Sequence, residues 1–117
     1  MNQLINKKDY LLITVFIIVS CFIILKSYYT SHGYLTSDSI NYLALAQNFK
    51  VGNGLIDSEG NFFSKWPLGY PFLIYVLANI SGLSVFWASK VLNIFFIGGI
   101  LGFFRLLFRG DAPIYAL

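Results

Sequence analysis

The sequence predicts an all-α integral membrane protein with two transmembrane helices and an outer loop that carries short interfacial helices. Hydrophobic residues make up 57% of the 117 positions and charged residues only 11%, whereas a soluble domain is about 25% charged. So short a chain could not bury this much apolar surface in a core of its own. Aromatic residues, at 19%, also suit the belts found at membrane interfaces.

Residues 10–29 form the first predicted span, which carries no charge before Lys26. About 20 helical residues are needed to cross a hydrocarbon core of ~30 Å. Lys26 can extend to the headgroups, where Tyr28 and Tyr29 are also expected. A cleaved signal peptide is the alternative, although no small-residue cleavage site follows the apolar run. Lipoprotein processing at Cys21 is a second alternative, and the apolar run continuing after it argues against this.

The outer loop covers residues 30–84, and its first element is a predicted helix. Ser and Asp at positions 37 and 38 are preferred at helix N-termini, and Gly52–Gly54 predicts the end. One face of this helix carries Asp38, Tyr42, Leu45 and Phe49. Their spacing predicts an amphipathic helix of about twelve residues lying along the outer leaflet.

The stretch 66–84 has no charge, but Pro67, Pro71 and the turn Asn79–Gly82 interrupt it. Between Pro71 and Ala78 there is room for about two helical turns, too few to cross a bilayer. We expect a short helix in the outer interface, and the sequence leaves open whether this stretch spans.

Residues 85–108 form the second predicted span. Lys90 and Arg105 lie near its two ends, roughly 22 Å apart at 1.5 Å per residue, and both side chains can reach outward. Gly98 and Gly102 are four residues apart, which suits the close approach of a neighbouring helix. An ordinary occurrence of glycine in a membrane helix is the alternative interpretation.

Basic residues predict the orientation. With two spans, Lys7 and Lys8 share one side of the membrane with Arg105 and Arg109, and positive residues favour the cytoplasm. The N-terminus is therefore expected in the cytoplasm and residues 30–84 outside it, in a bacterial inner membrane. The net charge of +3 is dispersed, so membrane lipid, and not nucleic acid, is the expected partner.

The chemistry is expected where Asp38 and the corner Trp66–Pro71 share the outer loop. An isolated carboxylate at a membrane face, with lysines nearby, suits acid–base chemistry on a lipid-borne substrate. His32 is the only histidine, and one carboxylate is not a metal site. No metal or other cofactor is therefore expected.

This loop resembles the first outer loop of GT-C glycosyltransferases. These are polytopic enzymes that use polyprenyl-phosphate sugars, such as the bacterial protein-mannosyl and lipid A aminoarabinose transferases. The resemblance extends over residues 8–108, and the matching residues are Asp38, Tyr42, Ala46, Gly52, Gly54, Trp66, Pro67, Gly69, Tyr70 and Pro71. It implies that residues 1–117 form a single membrane region, the N-terminal part of such an enzyme, which is expected to be inactive alone.

The resemblance also implies roles. Asp38 would be the catalytic base in an inverting transfer from a polyprenyl-phosphate-linked sugar donor to an acceptor hydroxyl. The substrate-binding candidates are Tyr42, Lys65, Trp66, Tyr70 and Lys90. The lysines would lie near the lipid phosphate and the aromatic residues would form a wall of the site. Ser39 stands where many family members have a second acid, which weakens the case for a divalent metal.

Other interpretations remain open at this point. The chain could be a small non-enzymatic membrane protein or assembly subunit that packs through Gly98 and Gly102. Asp38 could be a plain helix N-cap, and Lys65 and Lys90 could be interfacial anchors attracted to lipid headgroups.

Overall fold

The computed structural model describes residues 7–30, 36–64 and 67–107, with Lys7 and Lys8 described by their backbone alone. Across these ranges the chain forms four α-helices and no strand beyond one isolated bridge, between Ile56 and Phe62. The helices are α1 (Lys7–Tyr29), α2 (Ser37–Val51), α3 (Gly69–Ser81) and α4 (Val85–Leu107). The all-α prediction is confirmed.

Helices α1 and α4 are both long and apolar. Each has 23 residues, about 35 Å at 1.5 Å per residue, against ~30 Å of hydrocarbon. Their large side chains are mostly exposed, for example Phe22 at 63% and Phe95 at 67%. A core helix of a soluble protein would hide such residues, whereas lipid accommodates a helix that is apolar on all sides. The two helices are candidate membrane spans, as predicted.

The two long helices form an antiparallel pair. Asp9 in the first turn of α1 is ion-paired with Arg105 in the last turn of α4. Seven residues further along α1, the ring of Phe16 covers Gly98, which is seven residues before Arg105. The start of α1 and the end of α4 therefore lie together, and residues 30–84 connect the opposite ends of the pair.

The face of α1 that packs against α4 is marked by a regular spacing of less exposed residues. The less exposed positions recur at intervals of three or four residues, which is the spacing of a seam between two packed helices. They are Asp9, Leu12, Phe16, Val19 with its neighbour Ser20, Ile23 and Ser27. Among the helices of the described ranges, α1 contacts α4 alone.

The second packing unit, here called the helix cluster, consists of α2, α3 and the first half of α4. At its centre lie four residues with no exposed surface: Ala46, Ile74, Ala78 and Ala88. Three are alanines, whose small side chains allow the helix backbones to approach closely. Partly buried residues surround them, namely Tyr70, Tyr75, Leu77, Leu83, Val85 and Leu92.

Local capping explains where α2 begins and ends. The Oγ1 atom of Thr36 accepts a hydrogen bond from the backbone N–H of Ser39 at 3.2 Å, so Thr36 is the N-cap. Gly52 ends the helix with φ of 82°, a left-handed conformation that favours glycine. The helix has 15 residues, somewhat longer than predicted, and its end lies at the predicted glycine.

Helix α3 begins earlier than predicted. It starts at Gly69 and includes Pro71 in its first turn, where a missing N–H removes no intrahelical hydrogen bond. It also runs past Asn79 and ends at Ser81, with Gly82 as the C-cap at φ of 71°. Its 13 residues measure about 20 Å, too short to cross a bilayer. Ser84 then caps α4, because its Oγ accepts a hydrogen bond from the N–H of Trp87.

The polar turn predicted after α2 is held by Asp57. Its Oδ1 atom accepts hydrogen bonds from the N–H groups of Glu59 and Asn61, both at 2.9 Å. The side chain of Asn48 on α2 donates to the carbonyl of Ile56 at 2.6 Å and so attaches the loop to the helix. Phe63 is buried at 3% exposure, and its backbone N–H donates to the carbonyl of Leu55 at 2.9 Å, which closes the loop.

Candidate functional site

Asp38 lies in the first turn of α2 with its side chain exposed. Because Thr36 is the N-cap and bonds to both the N–H and the hydroxyl of Ser39, Asp38 does not cap the helix. Its negative charge is still favourable near the positive end of the helix dipole. The simplest structural explanation for an aspartate here, the capping role, therefore belongs to another residue.

Two predicted substrate-binding residues, Tyr42 and Tyr70, come into contact. Tyr42 lies one helical turn after Asp38, so both project from the same face of α2. Its ring meets the ring of Tyr70 on α3 edge-to-face, with centroids 5.7 Å apart and planes at 79°, a favourable arrangement for aromatic pairs. The carboxylate and this aromatic pair thus lie along one side of the helix cluster.

Asn93 on α4 completes this group and was not among the site residues predicted from the sequence. The hydroxyl of Tyr70 donates a hydrogen bond to Oδ1 of Asn93 at 2.9 Å, and the Tyr70 ring also approaches Phe96 with centroids 6.4 Å apart. Tyr70 therefore links α3 to α4. An amide side chain within an otherwise apolar span could have indicated this contact, because polar side chains there tend to form hydrogen bonds to neighbouring helices.

The partly buried hydroxyl of Tyr70 should make the folded protein less stable at alkaline pH. Burial raises its pKa above the usual 10.0, and the hydrogen bond to Asn93 lowers the pKa by less. Because the folded pKa exceeds the unfolded one, the contribution to stability is fully present below about pH 10 and is lost as the pH rises through the raised value. We expect the temperature of thermal unfolding in detergent to fall above about pH 10. In Tyr70→Phe the unfolding temperature should depend less on pH in this range.

The matched control is Tyr75→Phe on the same helix, where the ring packs on Phe49 and Phe72. The Tyr75→Phe protein keeps Tyr70 and its hydrogen bond to Asn93, so its unfolding temperature should still fall above about pH 10. Equal pH dependence in all three proteins would contradict the assignment to Tyr70.

Lys90 lies on α4, three residues before Asn93. Its ammonium is 4.9 Å from the centroid of the Phe86 ring, a cation–π contact within its own helix. The other predicted residues of the site, Lys65 and Trp66, lie outside the described residues. The structure thus brings Tyr42 and Tyr70 together, places Asp38 one turn away, and leaves Lys90 in contact with Phe86.

Among the described residues, the surroundings of Asp38 do not supply the ligands of a divalent metal ion. Such ions take six or more oxygen ligands, commonly from several carboxylates. In the described part of the chain, no three His, Cys, Asp or Glu side chains come together as a possible metal site. Ser39, the neighbour of Asp38, is engaged with Thr36 at the helix cap.

The fold and this group of residues define a class of protein: an all-helical chain with two candidate membrane-spanning helices and a helix cluster at one end of the pair. No protein family, curated protein or solved structure matches the chain.

Proposed function

We propose that the chain forms the N-terminal part of a membrane glycosyltransferase of the GT-C kind. The enzyme moves a sugar from a polyprenyl phosphate to an acceptor hydroxyl at the non-cytoplasmic face, with inversion. The observation that supports this most is the exposed Asp38 carboxylate, which is free of a capping role and stands one helical turn from the Tyr42–Tyr70 pair. The resemblance of the loop motifs supplies the reaction class.

In the proposed reaction, the acceptor oxygen attacks the anomeric carbon while the bond from that carbon to the phosphate oxygen breaks. The acceptor proton moves to the carboxylate of Asp38, which acts as general base. The leaving group departs as polyprenyl phosphate with an added negative charge. A cation such as Lys65 or Lys90 would stabilise this charge.

The aromatic pair would form an apolar wall beside the sugar, because aromatic rings present flat faces on which a pyranose can stack. The hydrogen bond from Tyr70 to Asn93 fixes this wall to α4. We assign Trp66 to the same wall on the basis of the sequence motif.

The proposed orientation places the start of α1 and the end of α4 in the cytoplasm of a bacterial cell. It rests on the positive charges at this end, where Lys7 and Lys8 begin α1 and Arg105 lies in the last turn of α4. The helix cluster, at the opposite end of the helix pair, then faces the compartment where a polyprenyl-linked donor would be used.

Two measurements test the proposal. Membranes from cells expressing the full-length enzyme, of which this chain is the proposed N-terminal part, are incubated with polyprenyl-phosphate mannose or aminoarabinose, and release of polyprenyl phosphate is measured against membranes lacking the enzyme. We expect release that depends on the enzyme. A membrane-impermeant thiol reagent, applied to intact cells, should label Asp38→Cys and not Arg109→Cys. Labelling of Arg109→Cys alone would reverse the orientation, and absence of donor consumption would favour an assembly subunit.

A further inference from the structure

A groove of 360 Å³ runs between α1 and α4 at the end of the helix pair opposite the helix cluster. Apolar residues and glycines line most of it: Leu12, Ile13, Phe16, Gly98, Leu101 and Gly102. Asp9 and Arg105 close one end. We infer that this groove binds an anionic phospholipid, with an acyl chain along the apolar lining and the phosphate at Arg105. This inference goes beyond the proposed sugar transfer.

Glycine creates the space for the acyl chain. A Cβ atom added at Gly102 would meet nothing within 4 Å, whereas one at Gly98 would lie 3.2 Å from the Phe16 ring. Phe16 thus fills the space beside Gly98, and the groove stays open at Gly102. Both helices are candidate membrane spans, so in a bilayer the mouth of this apolar groove would open to lipid.

A chain of methylene groups fits this groove better than another helix does. Close helix packing through small residues needs two of them one turn apart on an open face. Here Gly98, one turn from Gly102, is already covered by Phe16 of the same chain. Gly102, the one open glycine of the groove lining, leaves a narrow space that a flexible acyl chain can enter.

Arg105 provides the phosphate-binding group. Its Nε and Nη2 atoms donate to the two carboxylate oxygens of Asp9, the second at 3.2 Å. A guanidinium has five N–H donors, so this bidentate contact leaves others, and 34% of the side chain is exposed. The same planar group can therefore hold Asp9 and donate to a phosphate diester.

The charge at this end favours an anionic headgroup over a zwitterionic one. Lys7 and Lys8 are the first two residues of α1, and Arg105 lies in the last turn of α4. Among the described residues of this end, the sequence sets these three basic residues against one acidic residue, Asp9. Basic residues close to a membrane surface attract anionic lipids. Phosphatidylglycerol carries the required phosphate diester and a net negative charge, whereas phosphatidylcholine carries the same phosphate with no net charge.

The test uses the whole chain, purified in detergent and mixed with equal amounts of phosphatidylglycerol and phosphatidylcholine, with bound lipid read by native mass spectrometry. We expect phosphatidylglycerol to exceed phosphatidylcholine by about fivefold. Gly102→Leu fills the groove and should reduce bound phosphatidylglycerol by a similar factor. The matched control Gly99→Leu, also at an open position but outside the groove lining, should bind as the original chain does.

Arg105→Gln tests the headgroup contact and should reduce the preference for phosphatidylglycerol, while Lys7 and Lys8 remain. If this variant fails to fold, Gly102→Leu still decides, because it leaves the ion pair in place. Equal binding of the two lipids, or equal losses in Gly102→Leu and Gly99→Leu, would overturn the inference. So would a disulfide-linked dimer formed through Gly102→Cys, which would make a second copy of the chain the occupant. Sugar transfer is not measured in this experiment, so its outcome is separate from that of the proposed function.

Discussion

Asp38→Asn in the full-length enzyme is expected to lower the proposed sugar transfer by about two to four orders of magnitude, which is the usual contribution of a general base. Asparagine has nearly the same shape as aspartate but cannot take the acceptor proton. The measurement is the rate of polyprenyl phosphate release in membranes, normalised to the amount of protein.

The structure supplies a control for the stability of α2. Thr36→Ala removes the actual N-cap and should destabilise the helix by about 1 kcal/mol, while leaving the Asp38 carboxylate in place. We therefore expect Thr36→Ala to keep most of the transfer activity. Loss of activity in Thr36→Ala together with full activity in Asp38→Asn would assign a structural importance to the helix terminus and none to the carboxylate.

Removing one charge of the Asp9–Arg105 ion pair should have the second large effect, a loss of stability of the folded protein. Arg105→Gln leaves the Asp9 carboxylate without its bidentate partner between two apolar helices. Asp9→Asn leaves the Arg105 guanidinium without the carboxylate that it binds. Losing one member of such a pair is worse than losing both, because the remaining charge lacks its bidentate counter-ion close to hydrocarbon. Each single variant should show a severalfold loss of monodisperse protein after heating in detergent, and the double variant should recover much of it.

Lys26→Gln is the matched control for the loss of a basic residue. Lys26 lies at the other end of α1, with its ammonium over the ring of Phe22. This variant should behave as the original chain. Losses in the double variant equal to the combined losses of the single variants would contradict an energetic coupling between Asp9 and Arg105.

The sequence predicted the two long helices well because their length and lack of charge are local properties. The limits of α2 were also predictable, since Thr36 and the residues after it have cap chemistry and Gly52 suits a left-handed end. The predicted start of α3 was wrong because Pro71 was interpreted as the N-terminal boundary of the helix. A proline in the first turn is compatible with a helix, and its buried position in the helix cluster favours that arrangement.

The candidate site was predictable in part. Asp38 and Tyr42 share a helix face, which follows from their spacing of four. The contact of Tyr42 with Tyr70 and the bond from Tyr70 to Asn93 depend on how three helices pack, and no local pattern encodes that packing. The pairing of Asp9 with Arg105 was missed for the same reason, although an acid beginning one span and a base ending the next is a usable signal for an antiparallel pair.

The ion pair joins residues 96 positions apart, and this separation has a consequence for biogenesis. At a synthesis rate of roughly 5–20 residues per second, Arg105 follows Asp9 out of the ribosome by about 5 to 20 s. During that interval α1 lacks the helix that it contacts in the finished fold. The insertion machinery must therefore retain α1, or leave its acidic end at the aqueous boundary, until α4 arrives.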